Sequence, residues 1–355
     1  MDNKHYSYNQ SAGLDPNHFA DVTIIMPIRN EAAYIERSLN SVLAQDYPQE
    51  FTEVLIVDGM STDRTREIVK SYQERHANIR LVDNPGRIAP TALNTALRAA
   101  SGEIIIRVDG HCEIAPDYVS RCVQHLSEEQ VDCVGGPIHT IGETYVAQTI
   151  ALAMSSAFGV GGAAFRVKKD HTALVDTVAF PAYSRQAVSK TGLFDEELVR
   201  NQDDEYNYRL RKLGGKILLS ADIRSRYYSR GSLSSLWRQY FQYGYWKVRV
   251  MQKHPRQMSW RQFAPLVFVL SLLVSVLLSL LFPKTYPLFV LLAGFYSFVN
   301  LLASLITAYR AGWRYFPLLP LVYAILHLSY GLGFLAGLIK FANRFPHSNP
   351  LSRFS

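Results

Sequence analysis

The fold is decided by the stretch Val22-Thr-Ile-Ile-Met-Pro-Ile-Arg-Asn-Glu31, in which a short apolar run rich in β-branched residues ends in a polar loop. Such a run predicts a buried strand over 22–28. The residues that follow, 31–45, place Ile35, Leu39 and Val42 at helical spacing, which predicts an amphipathic helix.

The same cycle of strand and helix repeats along the first third of the chain. Apolar runs and amphipathic stretches alternate at 54–57, 63–76, 79–82, 89–100 and 103–108. This alternation predicts an α/β fold with a Rossmann-like, mostly parallel sheet and helices on both faces. Ligands bind off the carboxyl ends of such strands, so Glu31, Asp58 and Asp109, which follow three of the strands, are the first candidates for a site.

Composition and missing motifs exclude several classes of protein. The 355 residues are 48% hydrophobic and 19% charged, which argues against low-complexity disorder, a collagen repeat and a disulfide-stapled miniprotein. Cys112, Cys122 and Cys133 form no CxxC pair and are predicted to be reduced thiols of a cytosolic compartment. The sequence has no GxGxxG, GxxxxGK[ST] or GxSxG motif, so a dinucleotide fingerprint, a P-loop and a hydrolase elbow are excluded.

The last third of the chain contains three long apolar runs, at 263–282, 286–309 and 316–339. Each is long enough to span a bilayer as a helix; the alternative is buried helices of a large soluble core. Lys and Arg residues crowd before the first run and between the second and third, which marks the cytoplasmic side. The net charge of +7 therefore points to anionic lipid and not to nucleic acid. We expect a multi-pass protein of the inner (plasma) membrane whose N-terminal domain is cytoplasmic.

The predicted domain order carries one contradiction. It reads as a polar tail at 1–20, an α/β domain at 21–230, an amphipathic interfacial segment at 231–260, a transmembrane region at 261–340 and a C-terminal tail at 341–355. Three spans would place that tail outside, although it is basic. Either the tail violates the charge rule, or one run is re-entrant or interfacial, most plainly the third, which contains Pro317 and Pro320.

Five motifs, in a fixed order along alternating strands and helices, carry a family resemblance. They are MPIRNE (26–31), VDGMSTDRT (57–65), ASGEIIIRVDGH (100–111), GLFDEEL (192–198) and QDDEYNYRL (202–210). The chain resembles an inverting family-two glycosyltransferase of the GT-A fold, in the membrane-attached branch that assembles exopolysaccharides of the succinoglycan type.

The resemblance implies a UDP-sugar donor held at the strand ends. Asp58 would contact the uridine, helped by Pro27, Asn30 and Glu31, and Arg87 would reach the phosphates. The alternatives are that Asp58 and Asn30 only cap helices and that Arg87 is solvated.

The resemblance also places Asp109-Gly-His111 at the family's DxD motif. Side chains at i and i+2 of extended backbone share a face, so Asp109 and His111 could flank one divalent cation, Mn²⁺ or Mg²⁺. A carboxylate with an imidazole suits Mn²⁺ somewhat better. Gly110 would leave room for the diphosphate. Whether His111 binds the metal or donates a hydrogen bond to the diphosphate is left open.

In the family register Asp203 is the catalytic base, because an inverting displacement needs a carboxylate that takes the proton of the acceptor hydroxyl. Asp204 lies one position away, and Glu205 could orient the base or the acceptor. The alternative is a solvated, acidic helix start favoured by the helix dipole.

Two further pairs of residues are weaker candidates. Phe194 and Asp195 would line the sugar and acceptor pocket, unless Phe194 is a core residue. Gln242 and Trp246 match the QxxRW motif of polymerising relatives, except that Tyr245 replaces the arginine. The alternative is an interfacial helix with aromatic residues at headgroup depth.

Together these patterns predict a metal-dependent transfer of a hexose from a UDP-sugar to a polyprenyl-diphosphate-linked saccharide, with other polysaccharide-assembly proteins as partners. The alternatives are transfer to polyprenyl phosphate, processive polymer synthesis, and a non-catalytic nucleotide-binding membrane scaffold.

Overall fold

The structure, a computed structural model, describes residues 19–167, 170–229 and 231–344. Nearly all of the two predicted tails, 1–20 and 341–355, lies outside these residues. The strands within them are β1 Val22–Ile28, β2 Thr52–Asp58, β3 Ile79–Asp83, β4 Ile104–Arg107, β5 Cys112–Ile114, β6 Cys133–Gly136, β7 Ile138–Ile141, β8 Ala173–Leu174, β9 Ala179–Ser184, β10 Ile217–Leu219 and β11 Ser225–Tyr228. The α-helices are α1 Ile35–Leu43, α2 Thr65–Gln73, α3 Ala89–Ala99, α4 Tyr118–Glu128, α5 Tyr145–Met154, α6 Ala157–Val160, α7 Ala164–Val167, α8 Arg185–Thr191, α9 Gln202–Lys212, α10 Leu233–Lys253, α11 Trp260–Leu281, α12 Tyr286–Ala311 and α13 Leu319–Lys340.

The main sheet has eight strands in the order β3-β2-β1-β4-β9-β6-β10-β8. The first four are parallel, with Val22 of β1 opposite Thr52 of β2 and Ile104 of β4. β9 runs antiparallel to both β4 and β6, and β10 returns parallel to β6. The predicted strands of the first third are confirmed, and the sheet as a whole is mixed. A second, three-stranded sheet has the order β5-β11-β7.

Helices cover both faces of the main sheet, as predicted. Ile24 of β1 packs in one core with residues of α1 and α2, such as Leu39, whereas Ile25 packs in a second core with residues of α3 and α9, such as Leu93. Successive strand residues point to opposite faces, which is why β1 reads as a continuous apolar run. Each fully buried Ile or Leu contributes about 1.5–3 kcal/mol, so this double burial fixes the sheet and with it the loops at its edge.

The last three helices match the predicted apolar runs. All three are long and apolar enough to cross a membrane, but they differ in burial: 17% of the apolar window of α11 and 11% of that of α12 is buried, against 44% for α13. The predicted boundaries at residues 230 and 260 stay predictions.

The burial of α13 comes mainly from α10, which runs beside it in the same direction. Glycines bring the two backbones together: a Cβ at Gly333 would lie 2.0 Å from the carbonyl oxygen of Phe241, and one at Gly244 would lie 2.0 Å from that of Tyr330. Only glycine fits at these positions, so the amphipathic segment is held tightly against an apolar helix.

We expect Gly333→Ala to lower the stability of the protein by about 1–3 kcal/mol, because the added methyl group forces α10 and α13 apart. The matched control is Gly294→Ala in α12, where a Cβ would meet nothing within 4 Å. Melting of the full-length protein in detergent measures both. Equal losses in the two variants would contradict the close helix contact.

Candidate active site

The ends of β2 and β3 are tied together by Arg66. The carboxylate of Asp58, the last residue of β2, is buried and accepts hydrogen bonds from the Ser61 amide at 3.0 Å and from Nη1 of Arg66 at 2.6 Å. The same guanidinium donates to Asp83 of β3 at 2.8 Å. Asp58 therefore lies at the carboxyl edge of the sheet, under the loop that follows it.

The loop after β1 meets the loop after β2. The side-chain oxygen of Asn30 accepts a hydrogen bond from the Thr62 amide at 2.8 Å, and the Asn30 amide donates to Ser61 at 2.8 Å. In the described chain neither Asn30 nor Asp58 accepts from a first-turn helix amide, so the helix-cap interpretation is wrong. Pro27 lies beside this junction, opposite Val57 in the β1–β2 register.

Two exposed arginines lie at the same edge. Arg87 has a left-handed backbone (φ 60°), and its carbonyl oxygen accepts a hydrogen bond from Nη1 of Arg29 at 3.1 Å. The Arg29 side chain lies against Gly59, where a Cβ would come within 3.2 Å of it. Arg29 was missed from the sequence although it stands inside the first motif. Its position next to a strand end was the available signal.

The Asp109–His111 segment contacts the loop after β1. Nδ1 of His111 lies 2.9 Å from the carboxylate of Glu31, and the Asp109 carboxylate accepts from Nε of Arg107 at 2.8 Å. A Cβ at Gly110 would lie 3.0 Å from the side chains of Glu31 and Ile28. The space on the Cβ side of Gly110 is thus filled by protein, and the expectation that a diphosphate approaches its backbone stays a prediction.

The residues present fit a divalent cation only in part. Among the described residues no three His, Cys, Asp or Glu side chains converge. Two atoms could serve as ligands. One oxygen of Asp109 has only a long contact, 3.4 Å, with Arg107, and Nε2 of His111 is the ring nitrogen that does not face Glu31. Mg²⁺ is commonly held by one or two carboxylates together with substrate phosphates. This donor set fits a cation that a diphosphate helps to bind.

Arg107, at the end of β4, joins Asp109 to Asp203. Its guanidinium forms ion pairs with both carboxylates, so the first turn of α9 lies directly beside the DxD position. Burial raises the pKa of Asp203, the charge of Arg107 opposes the shift, and the charges of Asp109 and Asp204 add to it; the net direction is upward. The sequence places Asp109 and Asp203 94 positions apart, and Arg107 brings them to one point.

The three successive acids of α9 point in three directions, as residues about 100° apart on a helix must. Asp203 faces Arg107, Asp204 pairs with Lys247 of α10, and buried Glu205 is held by Arg209 at 2.7 Å and His254 at 2.9 Å. The solvated helix start is therefore wrong. Glu205 ties α9 to the end of α10, and its expected role in orienting the base or the acceptor stays a prediction.

The structure places Phe194 in the core and pairs Asp195 with a cation of α10, and the expectation that Asp195 lines the sugar and acceptor pocket stays a prediction. The Phe194 ring is buried and stacks on Tyr206 with centroids 4.1 Å apart, and Asn94 bonds both its amide, at 2.8 Å, and its carbonyl, at 2.9 Å. Asp195 pairs with Lys253 of α10. Phe194 is thus the core residue of the alternative interpretation.

Glu197 is the acid that sequence reasoning missed. Its carboxylate binds Arg249 at 2.9 Å, Lys253 at 2.8 Å and Arg344, beyond α13, at 2.6 Å. The hydrogen bonds from Arg249, followed by those from Lys253, lower its pKa to about 2. Glu197 stands in a quoted motif, but nothing in that motif shows that its partners come from α10 and the end of α13.

The residues of the QxxRW-like motif lie on α10. Gln242 accepts a hydrogen bond from Arg200, just before α9, at 3.1 Å, whereas Trp246 packs against Phe341 with centroids 5.7 Å apart. Gln242 thus contacts the start of α9, the helix that carries Asp203, and Trp246 contacts the end of α13.

Comparison with known proteins identifies the family of this chain. The profile described as glycosyl transferase family 2 matches residues 23–192. Succinoglycan biosynthesis protein ExoA of Rhizobium meliloti is 30% identical over 330 residues, which cover 90% of this chain and 96% of that protein. The chain belongs to glycosyl transferase family 2.

Two more family resemblances extend over most of the chain. One relative is the dolichyl N-acetyl-α-D-glucosaminyl phosphate 3-β-D-2,3-diacetamido-2,3-dideoxy-β-D-glucuronosyltransferase of Methanococcus voltae. It is 29% identical over 331 residues, which cover 90% of this chain and 97% of that protein. The structure of the mannosyltransferase PcManGT of Pyrobaculum calidifontis, with GDP-Man and Mn²⁺, aligns with a TM-score of 0.57 at 22% identity, covering 90% of this chain and 88% of that one. At that identity the likeness shows the fold, which is GT-A.

We expect Glu197→Gln to destabilise the protein at neutral pH by about 1.5–3 kcal/mol, since three cations lose a charged partner. The pKa of Glu197 is lowered on folding, so its stabilising effect is complete above 4.5 and is lost as the pH falls toward 2. The gap in melting temperature between wild type and variant should therefore close over that range.

The control for this experiment is Glu67→Gln, which removes an exposed pair with Arg64 and should change melting little at any pH. A gap for Glu197→Gln that persists at acid pH would show that the carboxylate is not the stabilising group.

Proposed function

We propose that this family 2 glycosyltransferase transfers a hexose, with inversion, from a UDP-sugar to a polyprenyl-diphosphate-linked saccharide during exopolysaccharide biosynthesis. The reaction takes place at the cytoplasmic face of the inner (plasma) membrane and depends on a divalent cation, Mn²⁺ or Mg²⁺. The observation that carries the proposal is the pair of carboxylates, Asp109 and Asp203, that share Arg107 at the edge of the sheet.

The chemistry follows from that pair. In an inverting transfer the acceptor oxygen forms a bond to the anomeric carbon while the bond to the diphosphate breaks. Asp203 accepts the proton of the acceptor hydroxyl, and its raised pKa makes it a stronger base than an ordinary aspartate. Asp109 and His111, together with the donor, would hold the cation, which would supply positive charge near the leaving diphosphate.

The donor is placed along the same edge. The uridine binds where the loops after β1 and β2 meet, beside Pro27, Asn30 and Asp58. The Asp58 carboxylate is buried and accepts hydrogen bonds from Ser61 and Arg66, so contact with the base requires it to give up one of these bonds. The exposed arginines Arg29 and Arg87 then meet the diphosphate.

The acceptor is supplied from the membrane. Lys247 of α10 pairs with Asp204, next to Asp203, and α10 also packs against the apolar α13. A lipid-linked saccharide lying at the membrane surface would therefore come close to the base. The Methanococcus voltae relative, which is named for a dolichyl-phosphate-linked sugar, supports an acceptor of this kind, and the relative ExoA, a succinoglycan biosynthesis protein, supports a role in exopolysaccharide assembly. Other polysaccharide-assembly proteins would supply that acceptor and consume the product.

We expect Asp203→Asn to lower kcat for UDP release by about 10²–10⁴-fold, because the amide cannot take the proton, while donor binding is kept. The assay pairs nucleotide sugars with lipid-linked acceptors extracted from the host. Asp204→Asn is the comparison variant, since Asp204 is already paired with Lys247 and should matter less to kcat.

A larger loss of kcat in Asp204→Asn than in Asp203→Asn would exchange their roles. Full activity of Asp203→Asn would remove it from the mechanism. Binding of UDP and Mn²⁺ without turnover on any acceptor would favour the scaffold alternative.

The pH dependence of kcat tests the role of Arg107. Asp203 must be ionised to act, so kcat falls on the acid side as the pH drops through its pKa, which lies above the ordinary 3.8. Arg107→Met removes the cation that opposes this shift. We therefore expect the acid limb of the pH profile, where kcat falls, to move to higher pH. Arg107→Lys keeps a positive charge and should move the limb less. An acid limb that stays in place in Arg107→Met would show that Asp203 is not the titrating base.

A further inference from the structure

The start of α13 is bonded to the α/β domain. Just before the helix, the carbonyl oxygen of Arg314 accepts a hydrogen bond from the Tyr145 hydroxyl at 2.8 Å, and the Tyr315 hydroxyl donates to Gln148 at 3.0 Å. Tyr145 and Gln148 belong to α5, whose Ala147 carbonyl in turn accepts from Ser229, directly after β11. This end of α13 therefore lies on the domain side of the membrane.

The far end of α13 is bonded to the same domain. Arg344, four residues past the helix, pairs with Glu197 at 2.6 Å, and the carbonyl oxygen of Phe341 accepts from Gln252 of α10 at 2.9 Å. Glu197 stands in the loop that leads into α9. The end of α13 thus lies beside the candidate active site.

The middle of α13 also contacts that domain. The Tyr323 hydroxyl donates to Ser156 at 3.0 Å, and the His327 ring lies 2.8 Å from the carbonyl oxygen of Phe158, both in the segment around α6. A helix of 22 residues is about 33 Å long, about the thickness of the hydrocarbon core. If α13 crossed the bilayer, its two ends would lie on opposite sides, and one folded domain could not bond to both.

From these contacts we infer that α13 does not cross the membrane. It lies with α10 in the plane of the cytoplasmic interface, and the hairpin of α11 and α12 makes the only two crossings among the described residues. The surface formed by α10 and α13 is then a docking surface for lipid, with the domain on one side and the bilayer on the other.

The hairpin has the features of a true span. Phe268 stacks on Tyr296 with centroids 4.2 Å apart, so α11 and α12 pair antiparallel. At its base, exposed aromatic residues stand at the start of α11 and the end of α12, Trp260 (90% exposed) and Tyr309 (78% exposed), as in an interfacial belt. α13 crosses the hairpin between its base and its middle: Phe334 contacts Phe263 of α11, and on α12 the Tyr296 hydroxyl lies 3.0 Å from Nδ1 of His327 and Asn300 donates to the Pro320 carbonyl at 3.0 Å.

Charge agrees with two crossings. Lys340 and Arg344 follow or end α13, and with three spans they would lie outside, against the preference of Lys and Arg for the cytoplasmic side. With two spans they lie on the same side as Arg310 and Arg314. The contradiction in the predicted domain order is thereby removed.

Cysteine labelling in the full-length, membrane-embedded protein tests the inference. Cys112, Cys122 and Cys133 are buried, so the wild type should not react with a membrane-impermeant maleimide. Three exposed positions each receive one cysteine: Lys70→Cys in α2, Lys284→Cys at the hairpin tip and Asn343→Cys after α13. A melting temperature equal to that of the wild type confirms that each variant is folded.

We expect Lys70→Cys and Asn343→Cys to be labelled from the same side, and Lys284→Cys only from the opposite side. Labelling of Asn343→Cys from the side of Lys284→Cys would establish three crossings and overturn the inference. Labelling of all three from one side would show that the hairpin does not span and would overturn it as well. These readouts do not depend on the identity of donor or acceptor.

Discussion

The site depends on one guanidinium, that of Arg107, shared between two carboxylates that come from distant parts of the chain. Asp109 and Asp203 would repel each other if left unpaired, and a buried charge without a partner is costly. Arginine suits the position because its planar group stays charged and presents several donors in a fixed geometry. The same contact fixes α9 against the end of β4, so the spacing of the two acids is set by the fold and not by a flexible loop.

The parallel half of the fold could be predicted because its signals are local. In β1 and β2 each apolar run is buried on both faces, and each is followed by an amphipathic helix. The antiparallel half could not. β9 pairs with β4 through residues such as Ser184 opposite Ile104, and no pattern near either strand specifies a partner so far along the chain.

The site was predictable wherever topology alone places a residue. Asp58 ends β2 and Asp109 follows β4, the two strands on either side of β1, so the sheet brings them to one edge. Prediction failed where the contacts of a residue depend on the direction of its side chain or on a partner far away in the sequence. The rotation of α9 sends Glu205 away from Asp203, the stack on Tyr206 takes Phe194 into the core, and Glu197 gains its role only from cations on α10 and beyond α13.

The acids around α9 and the cations of α10 form a continuous layer between the sheet and the apolar helices. Lys247 binds Asp204, Lys253 binds Asp195 and Glu197, and Gln257, beyond α10, donates to the carbonyl oxygen of Asp204 at 2.9 Å. Every one of these contacts is within a turn or a short loop of Asp203. Because α10 is in turn locked to α13 by glycine contacts, these two helices together set the position of the candidate base. Under the proposed function, an acceptor held at the surface of α10 and α13 would meet the base at a fixed height, which a domain tethered by a loose linker could not provide.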